Sequence, residues 1–254
     1  MILHIPHSST IIPKAYKDKI NVSKEDINML TDWYTDELFD YERASTLVFP
    51  YSRLFCDVER FRDNKREINF KTGQGVVYTK GYNGSSIREE DTAYEEEIKT
   101  TFYDNHHKIL SKTINMHLGM VGPVVVVDCH SFSEDSNGIE TKINGEYPDI
   151  CIGFNNSNKP KYINELKKYI EGFGYSVGLN FPFKGTMIPE YLEDNDEVTG
   201  LMIEINKNLY LTDNFSKKDT FNEVRSNINS ILDYINTQKE EWYENIFRIY
   251  RRNI

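Results

Sequence analysis

Cysteine is scarce in this 254-residue chain: Cys56, Cys129 and Cys151 are the only three. An odd count at wide spacing makes neither a disulfide framework nor a cysteine-based zinc site, and it suits a cytoplasmic protein with reduced thiols. Basic charge is also short. Lys and Arg total 30 against 40 Asp and Glu, for a formal charge of -10 and a pI of about 5.2. No excess of cations is left to offset phosphate, so a nucleic-acid partner is not expected. No segment approaches the roughly 18 apolar residues that cross a bilayer, and no membrane partner is expected. The start, MILHIPHSST, lacks a basic region followed by an apolar stretch, which argues against a signal peptide. Internal repeats, low-complexity linkers and the patterns GxSxG, GxxxxGK[ST], HExxH and GxGxxG are missing too.

Aromatics are plentiful, with 17 Tyr and 14 Phe. A chain this long and aromatic can bury a sizeable core, and residues 1–254 read as a single domain. Its clearest element is Val124–Val127, a β-branched run bounded by Pro123 and Asp128. A run without polar alternation is buried on both faces, as in a central strand covered by helices. Ile2–Pro6, Ile150–Phe154, Tyr175–Leu179 and Gly200–Asn206 read as further strands, with shorter candidates at Leu47–Phe49 and Leu54–Phe55. Helical spacing marks Asp26–Tyr41, Lys161–Gly172, Asp219–Asn236 and Glu240–Arg251. It also marks Glu95–Met116, with Ile98, Phe102, Ile109, Leu110 and Ile114 near one face. Asp63–Ser86 is polar and glycine-bearing and reads as a long loop. Strands alternating with helices predict an α/β fold with a mixed, largely parallel central sheet flanked by helices.

Polar residues at strand ends carry the chemical signal. His7 follows the first strand and His130 follows the tetravaline strand, each written His-Ser. Ligands bind beyond the carboxyl ends of strands in open α/β sheets, and two imidazoles there suit Zn²⁺ with a carboxylate as third ligand. Each histidine alone also fits a loop residue bonded to backbone. Asp32 and Asp36 are four apart and share a helix face; Asp32 and Glu37 read as exposed. Glu204 lies inside Leu201-Met202-Ile203-Glu204-Ile205. A carboxylate among buried aliphatics is costly unless paired, and it suits a general base; an edge strand with Glu204 facing water is the alternative. Arg53 and Arg60 flank Cys56-Asp57-Val58-Glu59 and fit either an anionic substrate or ion pairs with these acids. Lys184 and Gly185 follow the aromatic turn Phe181-Pro182-Phe183. His106 and His107 read as helix residues with at most a supporting role, and His117 as surface.

Taken in order, PHSSTIIP (6–13), TDWYTDELF (31–39), YSRLFCDVER (51–60), VVVVDCHSF (124–132), PDICIGF (148–154), NFPFKGTMIPEYL (180–192) and GLMIEINKNLYL (200–211) resemble the N-formylglutamate amidohydrolase family. The resemblance implies a hydrolase fold of the zinc exopeptidase type, a mixed sheet flanked by helices. It implies a single Zn²⁺ held by His7, Asp36 and His130, with Glu204 as general base. Arg53 would polarise the carbonyl, and Arg60 and Lys184 would bind substrate. The expected partner is a small N-acyl amino acid such as N-formyl-L-glutamate. Family members commonly carry Asn where this chain has Glu59 and Gly-Gly where it has Gly185-Thr186, so the resemblance also implies altered selectivity. A carboxypeptidase-like or amidase enzyme acting on peptides or cell-wall fragments, and a non-catalytic binding relative, are the alternatives.

Overall fold

The computed structural model describes residues 1–134, 147–157 and 160–252, with the backbone alone for 239–252. Six strands form one sheet in the order β2-β1-β3-β6-β4-β5. They are β1 (Ile2–Ile5), β2 (Ser45–Val48), β3 (Val124–Phe132), β4 (Ile150–Gly153), β5 (Val177–Leu179) and β6 (Val198–Asn206). Every pairing is parallel except β4 with β6. The mixed, largely parallel sheet expected from the sequence is therefore present. The tetravaline run extends to Phe132, and all of β3 is buried.

Period-two alternation divides the side chains between two layers. Leu3, Ile5, Val125, Val127, Leu201, Ile203 and Ile205 join a core with α5 (Ile163–Glu171) and α6 (Phe221–Arg252). Ile2, Val124, Val126 and Val198 pack on the opposite face with Leu110 and Ile114 of α4 (Asp104–Val121). The alternation also assigns His4, Asp128, His130 and Glu204 to this α4 face. Gly200 lets the 186–188 segment lie directly on β6, because a Cβ there would collide with Thr186 and Ile188.

Several boundaries differ from the sequence reading. Asp26–Tyr41 is not one helix. A capping box between Ser23 and Asp26 starts α1 (Lys24–Leu30), which stops at Thr31. Tyr34 adopts a left-handed backbone, φ 59°, before the short α2 (Thr35–Leu38). Glu95–Met116 is α3 (Thr92–Ile98) and α4 joined by a π-turn at Lys99–Tyr103, and Ile109 is exposed rather than on the buried face. Leu54–Phe55 forms a turn, and both residues are fully buried. The long polar segment carries Val76, Val77 and Tyr78 into the core. The two C-terminal helices are one, α6.

Candidate metal centre

His7, His130 and Glu204 meet where the parallel strands β1, β3 and β6 end. His130 and Glu204 are register partners across β3 and β6. The chain after α1 comes to the same place because the Asp32 N–H donates to the His7 carbonyl at 3.0 Å. That bond, with the helix break before Tyr34, turns Asp32 inward. Asp32 is 3% exposed, whereas Asp36 sits exposed on α2 and is not among the donors gathered here. Of the two aspartates in TDWYTDELF, Asp32 rather than Asp36 lies beside the histidines.

Asp32 Oδ2 is 3.0 Å from His130 Nδ1 and 3.6 Å from His7 Nδ1. His7 Nε2 is already engaged with Asp57 Oδ1 at 2.9 Å, and its buried Nδ1 has no hydrogen-bond partner. His130 Nδ1 is likewise engaged, by Asp32, so the buried ring nitrogens of this pair left without a hydrogen-bond partner are His7 Nδ1 and His130 Nε2. A carboxylate on the far nitrogen of a ligating imidazole fixes its tautomer and orientation, the role Asp57 would have for His7 and Asp32 for His130. Glu59 is the second acid within reach. Its Oε2 lies 2.9 Å from His130 Nε2, without hydrogen-bond geometry, and its Oε1 is 3.7 Å from His4 Nδ1. His7, Glu59 and His130 offer donors within 4.8 Å of one another, as do His4, Glu59 and Asp128. Glu59 is thus the acid that joins His7 and His130 in one donor group, whereas Asp32 lies on the Nδ1 side of both rings.

The site is dense in charge. Asp32 and Asp57 lie against Arg53, Asp57 also against Arg60, and Asp32 and Glu204 neighbour Lys207, while Glu59 and Asp128 lie against His130. Burial pushes the Asp32 carboxyl up, but the hydrogen bond with His130 and the nearby His7 and Lys207 more than reverse this and hold it ionised. Burial likewise opposes ionisation of Asp57, and the charges of Arg53 and Arg60 hold it well below the usual carboxylate range. Glu204 behaves oppositely: burial raises it to about 8 against the pull of His130.

A cavity of about 610 Å³ opens over these groups, lined among others by Arg53, Arg60, Lys184, Glu204 and Lys207. Arg53 donates through Nε and Nη2 to Asp57 Oδ2 at 3.1 and 2.9 Å. Arg60 donates to the Gln74 carbonyl and the Tyr78 hydroxyl, both at 3.1 Å. The Tyr78 hydroxyl in turn donates to Asp57 Oδ2 at 2.8 Å. Lys184 is exposed at the cavity edge.

Sequence reasoning passed over Tyr78, His4 and Lys207, read Asp32 as exposed where it is buried, and offered Asp57 as an ion-pair partner of the arginines, which it is. His4 is fully buried, 2.8 Å from both Asp128 Oδ1 and His106 Nε2. A histidine inside an apolar strand was the signal for it. Asp57, between Cys56 and Val58, had a similar one.

Comparison with known proteins gives two kinds of match. The family model of FGase, N-formylglutamate amidohydrolase, matches residues 1–211. A crystal structure of N-formylglutamate amidohydrolase from Ralstonia eutropha superposes with a TM-score of 0.81 at 17% identity, covering 100% of this chain and 94% of that one. A gene product of Agrobacterium tumefaciens superposes with a TM-score of 0.63 at 18% identity, covering 96% and 89%. No curated protein matches.

Proposed function

The chain belongs to the N-formylglutamate amidohydrolase family, and from that premise we propose that it hydrolyses the N-acyl amide bond of an N-acyl amino acid with one Zn²⁺ held by His7, Glu59 and His130. The observation that carries this reading is the convergence of His7, Glu59 and His130, whose donors lie within 4.8 Å of one another, with Glu204 in the same cavity. When bound, the cation supplies Lewis-acid polarisation of the acyl carbonyl and acidifies water.

The protein's own groups supply the proton transfers and the positioning. Glu204 accepts a proton from the attacking water as the new C–O bond forms. The same carboxyl then gives a proton to the nitrogen as the C–N bond breaks, leaving a carboxylic acid and a free amine. A carboxyl raised to about 8 by burial is poised for both transfers near neutral pH. Arg53, held in direction by Asp57, is the group for the developing oxyanion. Arg60 and Lys184 face the substrate's charged end. Three free, buried cysteines accord with a cytoplasmic setting.

The test is zinc analysis of the purified protein together with turnover of N-formyl-L-glutamate. Stoichiometric zinc, lost along with activity in His130→Ala, is the expected result. A metal-free protein with undiminished turnover would overturn the proposal.

A further inference from the structure

The cations lining the cavity are not equally free. Arg53 is committed to Asp57, Arg60 to Gln74 and Tyr78, and Lys184 is out at the edge. Lys207 is different. It is 5% exposed and lines the cavity, and among the described residues no hydrogen bond or ion pair engages its ammonium. Its charged neighbours are Asp32, Arg53 and Glu204. An ammonium on a cavity wall with three donors and no protein acceptor among the described residues is placed to receive an anion that arrives from outside.

We propose that Lys207 is the receptor for the substrate's α-carboxylate and so restricts the site to free N-acyl amino acids. This rests on the hydrolase reading above. The placement selects the α-carboxylate over one on a side chain. Lys207 follows Glu204 by three residues, where β6 passes into a 3₁₀ turn at Lys207–Leu209. Its ammonium and the proton-transferring carboxyl therefore open onto the same part of the cavity. In an N-acyl amino acid the α-carboxylate is two bonds from the scissile nitrogen, whereas the side-chain carboxylate of glutamate is further away. An acylated residue within a peptide has no carboxylate at this position and would leave Lys207 unpaired.

The test uses the full chain loaded with zinc and three substrates: N-formylglutamate, its α-amide and its side-chain amide. The wild type is expected to prefer the α-acid over the α-amide. Lys207→Gln should shrink that preference at least tenfold through KM, and Lys207→Arg should restore most of it. The preference between side-chain acid and side-chain amide should stay as it was. A Lys207→Gln enzyme that keeps the wild-type α-acid preference overturns the assignment, as does a loss confined to kcat. Zinc content and circular dichroism establish that each variant is folded, with Lys207→Met as a second neutral replacement. If the wild type hydrolyses none of the three, the hydrolase reading falls. Calorimetric binding of N-formylglutamate then still decides Lys207: equal affinity for wild type and Lys207→Gln overturns it.

Discussion

His130 and Glu204 are paired residue for residue across the parallel strands β3 and β6, so the imidazole and the carboxyl emerge side by side on one face of the sheet. The backbone ladder therefore sets the distance between the proposed metal donor and the proposed proton acceptor, and no loop has to order first. Glu204→Gln keeps the shape and removes the proton acceptor. It is expected to retain zinc while kcat falls by about 10²- to 10⁴-fold. A variant with wild-type kcat would take Glu204 out of the chemistry.

Asp32 and Glu59 compete for the place of acidic ligand, and metal analysis separates them. Glu59→Gln is expected to lose most of its zinc, because Glu59 shares a donor group with His7 and His130 and faces the unpartnered Nε2 of His130. Asp32→Asn should keep the metal with affinity reduced about 10- to 100-fold, as for a group on the far nitrogen of His130. Asp36→Asn should bind zinc like the wild type. The opposite order for Asp32 and Glu59 would make Asp32 the ligand.

Asp57 is a keystone of both stability and site geometry. Its fully buried carboxylate engages His7, Arg53 and Tyr78. Removing one partner of a buried charge pair typically costs about 3–5 kcal/mol. Asp57→Ala should accordingly be destabilised by about that much in urea unfolding and bind zinc more weakly. Tyr78→Phe deletes one hydrogen bond to the same carboxylate and should cost about 1–2 kcal/mol.

His107 makes stability depend on pH. Burial lowers its pKa from 6.5 to about 4, although the Val58 carbonyl, 2.7 Å from its Nε2, favours the protonated ring. The folded state thus binds this proton less readily than the unfolded chain. The group destabilises the fold as pH drops below about 6.5, and its effect levels off below about 4, where both states are protonated. The loss is on the order of 2–3 kcal/mol. Unfolding free energies measured between pH 7 and 4 should show a shallower acid decline in His107→Gln. An identical decline would assign the acid sensitivity to other groups.

The strands were legible because burial leaves a local imprint. Val124–Val127 announces a central strand by its lack of polar alternation, and His130 and Glu204 stand out as polar residues where apolar runs end or are broken. The choice between Asp32 and Asp36 was not legible in that way. Helical periodicity treats 26–41 as continuous and puts both acids on one face. The left-handed turn at Tyr34 and the bond from Asp32 N–H to the His7 carbonyl bury one and expose the other. The polar segment 63–86 read as a loop because its few apolar residues are hidden among glycines and charges, yet Tyr78 reaches Asp57 through it.

By its amino-acid order alone the chain determined an α/β sheet, the residues that end its central strands, and two histidines and a glutamate at those ends. Those features depend on near neighbours, whose apolarity and chirality fix where each side chain points along a strand. Tertiary structure decided which acid joins the histidines, which arginines are tied to Asp57 and which lysine remains free in the cavity. Such pairings depend on the register of strands and turns far apart in the chain, and nothing in local composition encodes that.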